Sequence, residues 1–188
     1  MSQYWILAAI LLPILGGLLI PLLPFSKKWG MHLYIETVVL LTSVIVWLLL
    51  LGGTTQVFDL VHFVNDLSIS FKIDGMTMVF AGLVAILWPL ATLYAFEYMS
   101  HEKHEKSFFL FYVMTYGVTL GIAFASDILT MYFFYELLTL VTVFAIGAMS
   151  YKKVKGAVLW GILGSAVVYY IVGLVTVPEF YATAVAPN

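Results

Sequence analysis

Six apolar runs of about 20 residues, at roughly 4–24, 33–52, 76–98, 107–125, 127–149 and 154–177, leave this chain little room for anything but membrane-spanning helices. Crossing the hydrocarbon takes roughly 20 apolar residues at 1.5 Å of rise each, and every run meets that length. Of the 188 residues 63% are apolar and 10% charged, and the mean hydropathy is +1.07. A water-soluble domain is nearer half apolar and a quarter charged, so the polar side chains here could not cover the apolar ones. The expected fold is all-α and integral to the membrane, with about six transmembrane helices in a single domain over 1–188 and a small outer β-hairpin between helices two and three. The first run lacks a basic stretch before it and is too long for the apolar part of a signal peptide, so it reads as a retained helix.

All eight basic residues are Lys. Lys27 and Lys28 follow the first run, Lys103 and Lys106 the third, and Lys152, Lys153 and Lys155 the fifth, whereas Lys72 alone falls on the other side. Lysines collect on the cytoplasmic side of a bilayer, which predicts a multi-pass protein of the cell (inner cytoplasmic) membrane with both termini on the outer side. A net charge of −2 gives no reason to expect nucleic acid; the bilayer is the expected medium. With no cysteine there is no disulfide, Cys-bound iron–sulfur cluster or thiolate zinc site in this chain. Neither a cofactor nor a metal is expected, and any redox step falls to a partner.

The hairpin is read from residues 53–75. Leu67, Ile69, Phe71 and Ile73 alternate with Ser68, Ser70, Lys72 and Asp74, the period of a strand with one covered face. Residues 57–64 form a second β-rich run, and Asn65-Asp66 is turn chemistry. Gly117 and Gly121, and Gly161 and Ser165, stand one helical turn apart and allow close helix packing. Pro13 and Pro89 inside the first and third runs predict kinks. Tyr4, Trp5, Trp29 and Tyr34 lie near helix ends, where aromatic belts form.

Glu136 is the residue most in need of explanation. It lies about nine residues, roughly 13 Å, along the fifth run from Asp127. A carboxylate at that depth costs on the order of 2.5–3.5 kcal/mol on insertion scales, so it should face a cavity or a polar partner and is a candidate proton carrier. Tyr132, Tyr135, Thr139 and Thr142 lie around it on a helix and can hydrogen-bond a carboxyl group. A protonated Glu136 gluing two helices together is the plainer alternative. Asp127 follows Ser126 in a tight turn and suits either the N-terminal cap of the fifth helix or an ion exit. Glu36 and Glu97 are placed near helix ends within reach of water or lysines. His32 and His62 are read as single histidines without partners, and the run from His101 to Lys106 as a solvated turn.

Three segments in order, Phe71-Lys72-Ile73-Asp74-Gly75-Met76, Leu93-Tyr94-Ala95-Phe96-Glu97-Tyr98-Met99, and Ser126-Asp127-Ile128-Leu129-Thr130 leading to Tyr135-Glu136-Leu137-Leu138-Thr139, resemble the antiporter-like membrane subunit family. That family serves respiratory complex I, Mrp cation/proton antiporters and energy-converting membrane-bound hydrogenases, and the resemblance runs over roughly 60–177. It implies that Glu136 belongs to an ion-translocation unit; Tyr132, Thr139 and Asp127 are the further candidates for that path, read from their spacing around Glu136 and at the helix end. Family members continue through further helices, the seventh bringing a mid-membrane lysine that pairs with the glutamate, whereas this sequence ends after its sixth run. It is therefore expected to be a shortened, N-terminal part of the family fold, with other membrane subunits as partners, one of them supplying the buried lysine.

The function so implied is a proton- or sodium-translocating subunit of a redox-driven membrane complex, itself without redox chemistry. A structural membrane subunit that moves no ion, and a small free-standing cation/proton antiporter, are the alternatives.

Overall fold

The computed structural model describes residues 4–25, 27–53, 57–62, 68–101 and 104–150. Contacts divide the chain into two units, Met1–Ala145 and Ile146–Asn188. Five helices and one hairpin are described: α1 (Tyr4–Leu19), α2 (Lys28–Leu51), β1 (Phe58–His62), β2 (Ser68–Phe71), α3 (Gly75–Met99), α4 (Glu105–Phe124) and α5 (Ile128–Ser150). The predicted run at 154–177 and the seam at Gly161 and Ser165 lie outside the described residues.

Four helices, α2 to α5, are long and apolar enough to cross a membrane, and α1 is shorter. The first predicted span is cut back to Leu19, because Pro21 has no N–H to continue the ladder. The chain closes in turns instead, with the Ile20 N–H on the Gly17 carbonyl and the Leu22 and Leu23 N–H groups on the Leu19 carbonyl. Sixteen residues rise about 24 Å, short of the roughly 30 Å hydrocarbon. Pro13 and Pro89 lie inside α1 and α3 without ending them.

Helices α1 to α4 form a ring in which α1 packs on α2 and α4, and α3 on α2 and α4. Ile10, Ile35, Val39, Val46, Phe109 and Leu120 fill its centre. The α1–α4 seam is the tightest. A Cβ at Gly117 would collide with the Ile10 carbonyl of α1, and one at Gly17 would come within 2.8 Å of the Leu110 carbonyl of α4. Gly121, one turn from Gly117, faces a different neighbour, the ring of Phe134 on α5. The predicted small-residue seam is thus two contacts with two helices.

Among the described residues, Lys27, Lys28 and Lys106 stand at one end of the ring, which we call the lysine end, and Lys72 stands with the hairpin at the other. β1 and β2 pair antiparallel, with an irregularity between Asp59 and Val61. Phe71 and Ile73 are buried and Ile69 packs on the core, as the alternation predicts. Ser70, on the face expected to be open, is buried as well, because the start of α5 lies over it. Two backbone bonds sew the hairpin to the α4–α5 turn: the Lys72 N–H donates to the Phe124 carbonyl at 2.9 Å and the Ser126 N–H to the Ser70 carbonyl at 3.0 Å.

Candidate functional site

Helix α5 meets the ring through one stripe, Thr130, Phe134, Leu137 and Leu138, spaced as one helical face requires. Phe134 lies against Phe71, with ring centroids 5.8 Å apart. Tyr132, Tyr135 and Glu136 fall on the opposite face and are exposed on this unit, and Thr139 is half-exposed beside them. Three of the four predicted site residues, Tyr132, Glu136 and Thr139, therefore share a face, and that face points away from α1 to α4.

The hydroxyls in this group are not equivalent. Thr139 donates to the Tyr135 carbonyl at 3.0 Å and Thr142 to the Leu138 carbonyl at 2.8 Å. With its proton committed to the backbone, each threonine can only accept. Thr139 is thus suited to a protonated carboxyl group at Glu136, and a Glu136 carboxylate would need its donors from elsewhere.

Asp127 lies apart from this face, at the hairpin end. It caps α5: the Thr130 N–H donates to Oδ1 and the Thr130 hydroxyl to Oδ2, both at 2.8 Å, and the Ser70 hydroxyl also donates to Oδ2. Asp74 caps α3 in the same way, accepting from the Thr77 N–H at 2.8 Å, and pairs with Lys72 at 2.9 Å. An Asp-x-x-Thr pattern starts both helices, a signal the sequence carried twice. Between these caps opens a cavity of about 510 Å³ with a mostly apolar lining that includes Met76, Phe80, Val84 and Met131 and is edged by Lys72, Asp74, Thr77, Thr119, Ser126 and Asp127.

Burial alone would raise the Asp127 carboxyl, but hydrogen bonds from Ser70, Thr130 and the Leu129 amide outweigh it and hold it below its ordinary value. The Thr77 amide, followed by Lys72, holds Asp74 far lower. A depressed carboxyl stabilises the fold fully above its ordinary range, about pH 4, and that stability is lost as the pH falls through the lowered value. Acidification below about pH 4 is therefore expected to loosen the hairpin from α5. Hydrogen exchange at the Lys72 and Ser126 amides, corrected for the intrinsic pH effect, reads it; Asp127→Asn should show weaker protection at neutral pH and a shallower acid dependence.

A second polar group was missed in the sequence. Glu105, expected in a solvated turn, is buried, with a side chain 7% exposed. His32 Nε2 lies 2.5 Å from its Oε1 and Lys28 Nζ 3.1 Å from its Oε2. His32 is not the partnerless histidine expected: it also stacks on Phe96, ring centroids 4.4 Å apart. Glu36, expected at a wet helix end, has one carboxyl oxygen, Oε2, buried without a hydrogen-bond partner among the described residues. Glu97 is exposed near the end of α3, where it was placed.

Residues 62–109 match the family model described as the N-terminus of chain 5 of NADH-ubiquinone oxidoreductase (complex I). The chain is 25% identical over 185 residues to Na(+)/H(+) antiporter subunit A1 of Staphylococcus haemolyticus, an alignment covering 95% of this chain and 22% of that protein. The corresponding Staphylococcus aureus subunit is 23% identical over 173 residues, covering 88% and 21%. A subunit of the membrane-bound sulfane sulfur reductase, an archaeal respiratory membrane complex, superposes with a TM-score of 0.68 at 19% identity, covering 92% of this chain and 36% of that one. The chain is thus similar to antiporter subunits over most of its length and shares the fold of a respiratory membrane subunit. It spans about a fifth of the length of the curated relatives it matches. The family-model match begins at the last residue of β1, carries β2, α3 and the start of α4 and stops before α5, but alignments covering 88% and 95% of this chain necessarily include the α5 face.

Proposed function

We propose that this chain is an ion-translocating, antiporter-like subunit of a multi-subunit redox-driven membrane complex, and that Glu136 is its ion-carrying group. The observation that carries this reading is a carboxyl group midway along a membrane-spanning helix, on the face that turns away from α1 to α4. Leaving it against lipid would cost on the order of 2.5–3.5 kcal/mol or more, so the face is built to be covered. The cover is a neighbouring membrane subunit that brings a cationic side chain, as the resemblance implies. Approach of that cation favours the carboxylate and its withdrawal favours the acid, so movement of the partner's charge drives proton uptake and release.

Tyr132 and Tyr135 flank the carboxyl, Thr139 accepts from its protonated form, and the cavity beside Asp127 offers an exit at the hairpin end. The lysine end faces the cytoplasm in this reading, following the lysine bias. This chain performs no electron transfer itself.

The test is Glu136→Gln in the assembled complex. Ion pumping should be abolished or sharply reduced while the subunits still assemble and the redox half-reactions continue. Pumping at the native rate would reject the proposal, and loss through failed assembly alone would leave only a scaffolding role.

A further inference from the structure

Three helices of the ring carry polar residues on matching stripes. On α2 these are Lys28, His32, Glu36 and Ser43; on α3 Ser100, Thr92 and Trp88; on α4 Glu105, Tyr112 and Tyr116. Within each stripe the residues, counting the α3 C-cap Ser100, stand 4, 7 or 8 apart, close to one or two whole helical turns and so on one face, and the three meet. At the lysine end Glu105 joins His32 and Lys28, and Lys28 also donates to the Ser100 carbonyl at 2.9 Å. One turn deeper stands Glu36, about 12 Å from the start of α2, within electrostatic reach of Tyr112. On α3 and α4 the hydroxyls of Thr92 and Tyr112 both donate to the Trp88 carbonyl, at 2.8 and 3.4 Å. Deeper still, Tyr116 and Ser43 share a hydrogen bond of 2.8 Å, and the Trp88 ring stacks on Tyr116 with centroids 5.1 Å apart.

Two atoms within this column break the rule that buried polar groups are paired: Glu36 Oε2 and Trp88 Nε1 are buried, and neither has a hydrogen-bond partner among the described residues. They come from the packed helices α2 and α3, and the Trp88 ring lies 5.4 Å from that of Tyr112, the hydroxyl group within electrostatic reach of Glu36. Protein groups that stay unpaired in such a place are satisfied by buried water, which needs two to four polar partners. The hydroxyls of Thr92 and Tyr112 and the Trp88 indole meet that requirement.

We propose that α2, α3 and α4 enclose a second proton-accepting site at Glu36, reached by water from the Lys28–His32–Glu105 cluster at the lysine end and closed on its far side by the Trp88–Tyr116 stack. The proton taken up by the Glu36 carboxylate comes from water and returns to water, so no other reactant is consumed. The charged and titratable groups facing it are His32 on its own helix, Tyr112 and, nearer the mouth, Glu105 on α4; α3 contributes Trp88 and Thr92, and α1 carries no charged side chain. The site is separate from Glu136, which lies on the outer face of α5, and does not depend on the role given to that residue.

Infrared spectroscopy of the purified full chain in lipid nanodiscs, titrated across pH in H2O and D2O, tests this. A protonated-carboxyl C=O band is expected that grows on acidification, is lost in Glu36→Gln, persists in Glu136→Gln and shifts to lower frequency on exchange into D2O. A titrating band absent from the Glu36→Gln difference, or one that does not shift in D2O, overturns the proposal. Loss of a band in Glu136→Gln concerns that residue alone. Tyr112→Phe keeps the ring and the fold while removing the hydroxyl, and should slow the D2O shift of the Glu36 band; an unchanged rate also overturns the water route.

Discussion

Glu105→Ala is expected to destabilise the helix ring by about 3 kcal/mol, the lower end of the cost of breaking a buried ion pair from one side. The estimate sits there because the two partners are unequally placed. Lys28 has a side chain 62% exposed and keeps the Ser100 carbonyl, so it can turn to water at little cost, and an exposed pair contributes only about 0–1 kcal/mol in any case. His32, 21% exposed and pinned on Phe96, is the partner left stranded. The truncation also opens a void among Phe96, Phe109 and the His32 ring, and takes a negative charge from the first turn of α4, where the helix dipole favours one. Glu105→Gln, which refills the void and keeps an acceptor, should recover part of the loss. Unfolding of the detergent-solubilised chain followed by circular dichroism measures both, and a Glu105→Ala loss below about 1 kcal/mol would mean that Glu105 behaves as an exposed charge.

The same pair shows where reading the sequence stops. The membrane helices could be placed because apolar runs of spanning length are a one-dimensional signal, and the hairpin because its alternation is local. Both signals failed where a contact from far along the chain intervened. Ser70 alternates as an open-face residue, yet α5 folds over it 60 residues later to bond its N–H through Thr130. Glu105 lies in a run of balanced charges that reads as solvated, and its burial depends on His32, 73 residues earlier. The stripe Lys28, His32, Glu36 and Ser43 is a spacing on α2, but one by one Lys28 reads as a loop lysine, His32 as a histidine without a partner and Glu36 as a wet helix end. Only the matching stripes on α3 and α4 turn it into a column. For the candidate site, clustering of Tyr132, Tyr135, Glu136 and Thr139 on one face follows from helix geometry alone. The direction of that face does not, since it is set by Thr130 and Phe134 docking on Ser70, Phe71 and Gly121.

Gly117→Val should be as damaging as any change at a charged site, and its contrast with Gly82→Ala isolates the reason. A side chain at Gly117 would meet the Ile10 carbonyl, Ile14 at 2.7 Å and Pro13 at 2.9 Å, and of these the carbonyl and the proline ring cannot swing aside. The helices must part, and the neighbouring close approach of Gly17 to the Leu110 carbonyl would open with them. Overpacking costs typically 1–3 kcal/mol; a β-branched side chain against rigid backbone belongs at the top of that range, about 3 kcal/mol. At Gly82 the nearest atom is the flexible end of Leu50 at 3.5 Å, an ordinary contact, so Ala there should be neutral or stabilising by up to about 1 kcal/mol through helix propensity. Parallel unfolding of the two variants decides the matter, because equal tolerance would show that α1 and α4 are not locked backbone to backbone. The lock matters beyond stability. Helix α1 is too short to hold its place by spanning alone, and α4 carries Glu105, Tyr112 and Tyr116 into the polar column, so a seam that lets α4 drift should also displace the groups around Glu36.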